Sequence, residues 1–122
     1  LRVEYMDMIV YTGFGFPGRD LIFTRSCDAV FFGCGRIGTI HEFTIAFEDQ
    51  KPMGILEADW ETDEEIRYIL EKGHRANDLI LFDSDPKALV ERVKELVEKD
   101  KKNRAGFRFE AGAQKASLAA HL

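Results

Sequence analysis

Two cysteines and three histidines stand in a chain of 122 residues, and neither set has the spacing of a metal site. Cys27 and Cys34 are too few for the disulfide framework of a small secreted domain, so they read as free thiols. No metal is expected. No apolar run approaches the roughly 18 residues that a membrane span needs, and the opening LRVEYMDM carries charge where a signal peptide would be apolar. No membrane partner is expected, and the location reads as cytoplasmic. Positive charge is also in short supply, with 17 Lys and Arg against 22 Asp and Glu and a net charge of -5. A protein that gains affinity by neutralising a nucleic-acid backbone has the opposite balance, so nucleic acid is not expected as a partner. A small anion held by local donors is compatible with that charge.

What is present is a core and a rhythm. The chain is 45% hydrophobic with ten Phe, enough apolar material for one domain. Four short apolar runs, MIVYT at 8–12, AVFF at 29–32, MGIL at 53–56 and LILF at 79–82, alternate with helical patterns. Such alternation predicts an α/β fold, a Rossmann-like parallel sheet with flanking helices. The runs are continuous, as expected of strands covered on both faces. A short helical segment falls at 18–27. A second helix starts near Thr39 and puts Ile40, Phe43, Ala46 and Phe47 on one stripe; a third does the same with Ile66, Ile69 and Leu70. Thr62 and Glu65 have the spacing of a capping box, and Gly73 stops that helix. The last helix opens with Asp85 as N-cap and Pro86 in first position, and turns Leu89, Val90, Val93, Leu96 and Val97 inward.

This organisation assigns 1–103 to a single nucleotide-binding domain and 104–122, which includes His121, to an irregular or disordered tail or an added strand near Phe107 to Phe109. No internal repeat is present. Leu1 in place of a starting methionine, and a narrow four-stranded sheet with an edge to cover, point to an incomplete or altered chain.

Two glycine loops compete for a ligand. TGFGFPGRD satisfies GxGxxG through Gly13, Gly15 and Gly18, but a dinucleotide site also needs a full helix and an acid at the end of the next strand. Here Pro17 interrupts the motif and the next strand ends in Phe32-Gly33. The loop reads as a turn whose glycines relieve backbone strain, or as one wall of a cleft that presents Arg19. GCGRIGTIHEF at 33–43 is better placed, between a buried strand and a helix N-terminus where unpaired N–H groups and the helix dipole favour an anion. Gly35, Arg36, Ile37, Gly38 and Thr39 are the expected phosphate-binding residues, with Gly13 and Gly15 beside them. The loop has no lysine and is not a P-loop. Glu42 keeps two readings: it closes a capping box with Thr39, or it acts on a water or on charge developing at the sugar of a bound nucleotide. His41 points about 100° away from it round the helix and reads as a surface or polar contact. Trp60 reads as a packing residue.

The stretch RDLIFTRSCDAVFFGCGRIGTIHEFTIAFEDQKPMGIL resembles the C-terminal half of the LOG-like Rossmann-type nucleotide-binding proteins, often mislabelled lysine decarboxylases. It resembles most the branch with the molybdenum-cofactor-carrier-like proteins. The hallmark PGGxGTxxE appears as CGRIGTIHE, with Gly35, Gly38, Thr39 and Glu42 matching and Cys34 and Arg36 replacing proline and glycine. The arginine that precedes the hallmark in hydrolase members falls at Arg19. The resemblance implies binding of a nucleoside monophosphate such as AMP, or a related cofactor, and homodimers packed through helices. It also implies, for active members, phosphoribohydrolase activity with Arg19 and Glu42 as catalytic residues. Family chains begin with further strands and a glycine-rich loop, so a third expectation is an inactive fragment whose missing half-site a partner chain supplies.

Overall fold

The computed structural model describes residues 4–75 and 77–120, with 106–120 by backbone alone; Leu1 and His121 lie outside them. Among the described residues there are three parallel strands, β1 (Val30–Phe32), β2 (Met53–Leu56) and β3 (Ile80–Asp83), in the order β1-β2-β3. Four helices flank them: α1 (Gly15–Arg25), α2 (Ile37–Glu48), α3 (Thr62–Lys72) and α4 (Pro86–Ala120). The α/β expectation holds. Parallel neighbours need crossovers, and α2 and α3 provide them.

The register pairs Val30 with Met53 and Met53 with Ile80, and sets Phe32, Ile55 and Phe82 side by side. Strand side chains alternate between faces. Val30, Phe32, Met53 and Ile55 therefore share one face, where they pack with Phe43 and Ala46 of α2 and Ile66 of α3 in a single buried cluster. Ile40, Phe47 and Leu70 close its margin, as their helical spacing predicted. Gly54 turns to the other face, toward Phe31 and Val93 of α4. Leu89 and Val93 are buried there. Leu96 and Val97 are half-buried, whereas Val90 is exposed, because α4 lies over β2 and β3 and leaves the β1 side open.

Four sequence expectations change. MIVYT is not a strand: residues 8–12 carry no regular structure, and Met8, Val10 and Tyr11 are 80%, 64% and 91% exposed. An apolar run becomes a strand only when a neighbour completes its ladder, and no described strand pairs with the outer edge of β1. The segment near 18–27 is longer than its pattern suggested, because α1 begins at Gly15 and takes Pro17 into its first turn, where a missing N–H costs little. Thr62 and Glu65 form no capping box; Glu61 occupies the N-cap with φ 66° and makes no side-chain cap. The stretch after Arg104 is neither irregular nor strand in its backbone, since α4 runs to Ala120. Good helix formers such as Ala, Gln, Lys and Leu outnumber the glycines there.

The N-terminus of α4 forms as its sequence dictates. Asp85 Oδ1 accepts the N–H groups of Lys87 at 2.9 Å and Ala88 at 3.4 Å. One step earlier, Asp83 accepts the N–H of Asp85 and pairs with Arg92, and these contacts hold its carboxyl below the usual range. Asp85→Ala is expected to lower stability by about 1 kcal/mol, read as a lower urea midpoint with unchanged slope.

Candidate functional site

In an open parallel sheet, ligands bind beyond the carboxyl ends of the strands. A cleft flanks the N-terminus of α2 on one side at that edge, and a cluster of charged side chains stands on the other. On the α3 side, Gly35, Arg36 and Ile37 face Trp60, Glu61 and Glu64 across a cleft of about 890 Å³. On the α1 side stand Arg19 and Asp20 of α1 and His41 and Glu42 of α2.

The GCGRIGT loop is held from inside. Thr62, 2% exposed, accepts the N–H of Gly35 on its hydroxyl at 3.0 Å and lies 3.4 Å from the carbonyls of Gly35 and Trp60. A residue expected to cap its own helix instead ties the β1–α2 loop to the start of α3. The Thr39 side chain folds back over Gly35, where an added Cβ would lie 2.0 Å from Thr39 Oγ1 and 2.4 Å from Thr39 Cβ. Gly35 is thus required for the close approach of Thr39, and its N–H is already used.

The N–H of Thr39 bonds the Arg36 carbonyl at 2.9 Å. The first two helical N–H groups, those of Ile37 and Gly38, have no carbonyl one turn back to bond. Gly38 has open space where a Cβ would stand. The helix begins at Ile37 with Arg36 as N-cap, so Thr39 is inside the first turn and does not pair with Glu42 in a capping box. Glu42 closes no capping box.

Glu42 belongs instead to a charged cluster between α1 and α2. Its carboxyl is raised above the ordinary value, first by burial and then by the Asp20 charge, while Arg19 and His41 pull it down. Asp20 is the group around which this cluster forms. Its side chain is 8% exposed, with Oδ2 3.0 Å from His41 Nδ1 and Oδ1 3.5 Å from Arg19 Nη2. An ionised carboxylate only accepts, so His41 donates through Nδ1. Arg19 also lies over the Phe16 ring at 4.7 Å. The sequence pairing of Arg19 with Glu42 is therefore met in space, and the structure adds Asp20 and His41, which residue spacing alone did not couple.

Gly13 and Gly15 adopt φ of 73° and 68°, the left-handed region that glycine alone enters without strain. Their turn aims the chain into α1, and with Tyr11, Phe16 and Arg19 it lines a cleft of about 420 Å³. Trp60 is a packing residue, as expected: its indole N–H bonds the Leu56 carbonyl at 3.1 Å and its ring lies against Gly33. Cys27 and Cys34 are free. Among the described residues, no group of three or more His, Cys, Asp or Glu is arranged to hold a metal ion, and no helix is long and apolar enough to cross a membrane.

A parallel sheet with crossover helices and a glycine-rich turn into α2 defines a Rossmann-like fold. Residues 2–90 match the SLOG cluster4 family, and the chain belongs to it. That family is part of a superfamily that includes the LOG-like Rossmann-like proteins, although the match is not to the LOG family itself. No curated protein and no solved structure matches the chain.

Thr62→Val keeps the side-chain shape and removes the hydroxyl, leaving the Gly35 N–H without its partner. We expect a loss of about 1–3 kcal/mol and faster hydrogen exchange at the Gly35 amide.

Proposed function

We propose that this protein binds a nucleoside 5'-monophosphate with its phosphate at the N-terminus of α2 and hydrolyses the N-glycosidic bond. The observation that carries the reading is the cluster of Arg19, Asp20, His41 and Glu42 one turn inside the helix whose N–H groups of Ile37 and Gly38 are free of intrahelical partners. A helix N-terminus favours an anion, and the next turn then faces the sugar. The larger cleft suits a phosphate poorly. It sets Glu61, Glu64 and Glu65 against the single cation of Arg36, and Glu64 and Glu65 complement the dipole of their own helix. On the α1 side the two carboxylates, Asp20 and Glu42, are matched by Arg19 and His41, so the balance there is less acidic.

In this reading Arg19 orients the phosphoribosyl group, and the Glu42 carboxylate takes a proton from the attacking water. The turn at Gly13 and Gly15 forms the outer wall. The membership in a family with a nucleotide-related fold supports the ligand class, and the resemblance to LOG-like hydrolases at Arg19 and Glu42 supports the chemistry. The cluster's exposure on the α1 side leaves room for a second copy to complete the wall.

Incubation with AMP and other nucleoside monophosphates, followed by chromatography, is expected to show free base. Glu42→Gln is expected to lower turnover by about 10²-fold or more with ligand binding retained. Because the Glu42 carboxyl is raised and acts deprotonated, release should climb with pH across a range above that of an ordinary carboxylate. Binding without release, in folded protein, contradicts the hydrolytic step and leaves a nucleotide-binding protein.

A further inference from the structure

Asp20 is one of two buried carboxylates among the described residues, the other being Asp63. Asp20 is buried on a helix whose other buried residue is Thr24, and an ionised carboxylate is placed there only with donors to satisfy it. The donor is His41. With Nδ1 committed to Asp20 at 3.0 Å, the ring is held in one orientation, and its second nitrogen, Nε2, lies on the far side of a side chain that is 42% exposed. An acid–imidazole pair with one end buried and the other reaching toward solvent is an arrangement that carries protons. It adjoins Glu42 closely enough to act on that carboxyl, Asp20 raising it and His41 lowering it.

We propose, on the strength of the hydrolytic reading above, that His41 is a second catalytic residue that protonates the departing base, and that Asp20 is its positioning residue. The inference narrows the substrate to purine nucleoside 5'-monophosphates, whose base offers a basic ring nitrogen, N7, to receive that proton. The step balances as follows. The C1'–N9 bond breaks and its electron pair passes to the purine, while the proton on Nε2 of the His41 imidazolium moves to N7. The oxygen of water bonds to C1', and its proton goes to the Glu42 carboxylate. The products are ribose 5-phosphate and a neutral purine. Solvent returns the proton from Glu42 to His41, so no other reactant is consumed. Asp20 of α1 contacts the imidazole, and Arg19 of α1 and Glu42 of α2 are the other charged groups of the cluster.

A plain alternative is a clasp in which the Asp20–His41 bond only holds α1 against α2. The two roles separate when the leaving group no longer needs a proton. Wild-type protein, His41→Gln and Asp20→Asn are assayed with AMP and with 4-nitrophenyl β-D-ribofuranoside 5-phosphate, whose nitrophenolate leaves unaided. Gln retains a donor for Asp20. We expect His41→Gln to lose about 10²-fold or more in kcat on AMP and to stay within about threefold of wild type on the nitrophenyl compound. Asp20→Asn should show a smaller loss, about tenfold, again confined to AMP. It carries the test if His41→Gln does not fold. Equal losses on both substrates, or no loss on AMP, overturn the acid role while leaving hydrolysis intact. Nitrophenol release by wild type without any free base from AMP overturns it as well. No release from either substrate by folded wild-type protein is the separate failure of the hydrolytic reading itself.

Discussion

A carboxylate buried between two helices sets the terms for this molecule's carboxyl edge. Asp20 has water on almost none of its side chain, and an unpaired charge in such a place costs several kcal/mol. It is tolerated because His41 donates to it and Arg19 lies close by. That requirement holds α1 in place, because α1 has no apolar stripe with which to bind the rest of the domain. Its C-terminal end is tied by a polar contact too: Arg25 grips Asp49 at 2.8 and 3.1 Å, and this pairing holds the Asp49 carboxyl low. The same buried charge adds to the burial that lifts the Glu42 carboxyl, and it orients the imidazole beside it.

The parallel sheet determines where this happens. β1, β2 and β3 all end on one side, and each hands the chain to a helix whose N-terminus stands at that edge. The loops there are not interchangeable. Thr62 binds the β1–α2 loop to the start of α3, which consumes the Gly35 amide and leaves Ile37 and Gly38 as the first-turn N–H groups with no carbonyl one turn back. Glu61, Glu64 and Glu65 make the opposite wall of the larger cleft acidic. On the proposed reading, the phosphate lies in the small region between α1 and α2.

Most of the fold was legible because it follows from periodicity. The strands AVFF, MGIL and LILF, the stripe of Ile40, Phe43, Ala46 and Phe47, and the Asp85–Pro86 helix start all express local patterns that burial and capping reinforce. MIVYT was misleading because a strand depends on a neighbour, which no local pattern encodes. Thr62 and Thr39 were misleading for another reason. Each has a glutamate three residues on, yet each hydroxyl lies within reach of Gly35, a contact made across the loop and not along the helix. Arg19 and Glu42 were found through a motif. Asp20 and His41 were missed as a pair because 21 residues separate them, although an aspartate on the inward face of α1 and a histidine beside Glu42 were visible signals once the two helices were known to pack.

We propose a nucleotide phosphate docked at the first turn of α2 on its α1 side. Titrating isotopically labelled protein with AMP, and separately with adenosine, while following backbone amide resonances, tests it most directly. The account predicts that AMP produces its largest shifts at the Ile37 and Gly38 amides, with smaller ones around Glu42, and that adenosine leaves those two amides largely unmoved. Shifts centred on Trp60 and Glu64, or none at Ile37 and Gly38, would contradict it.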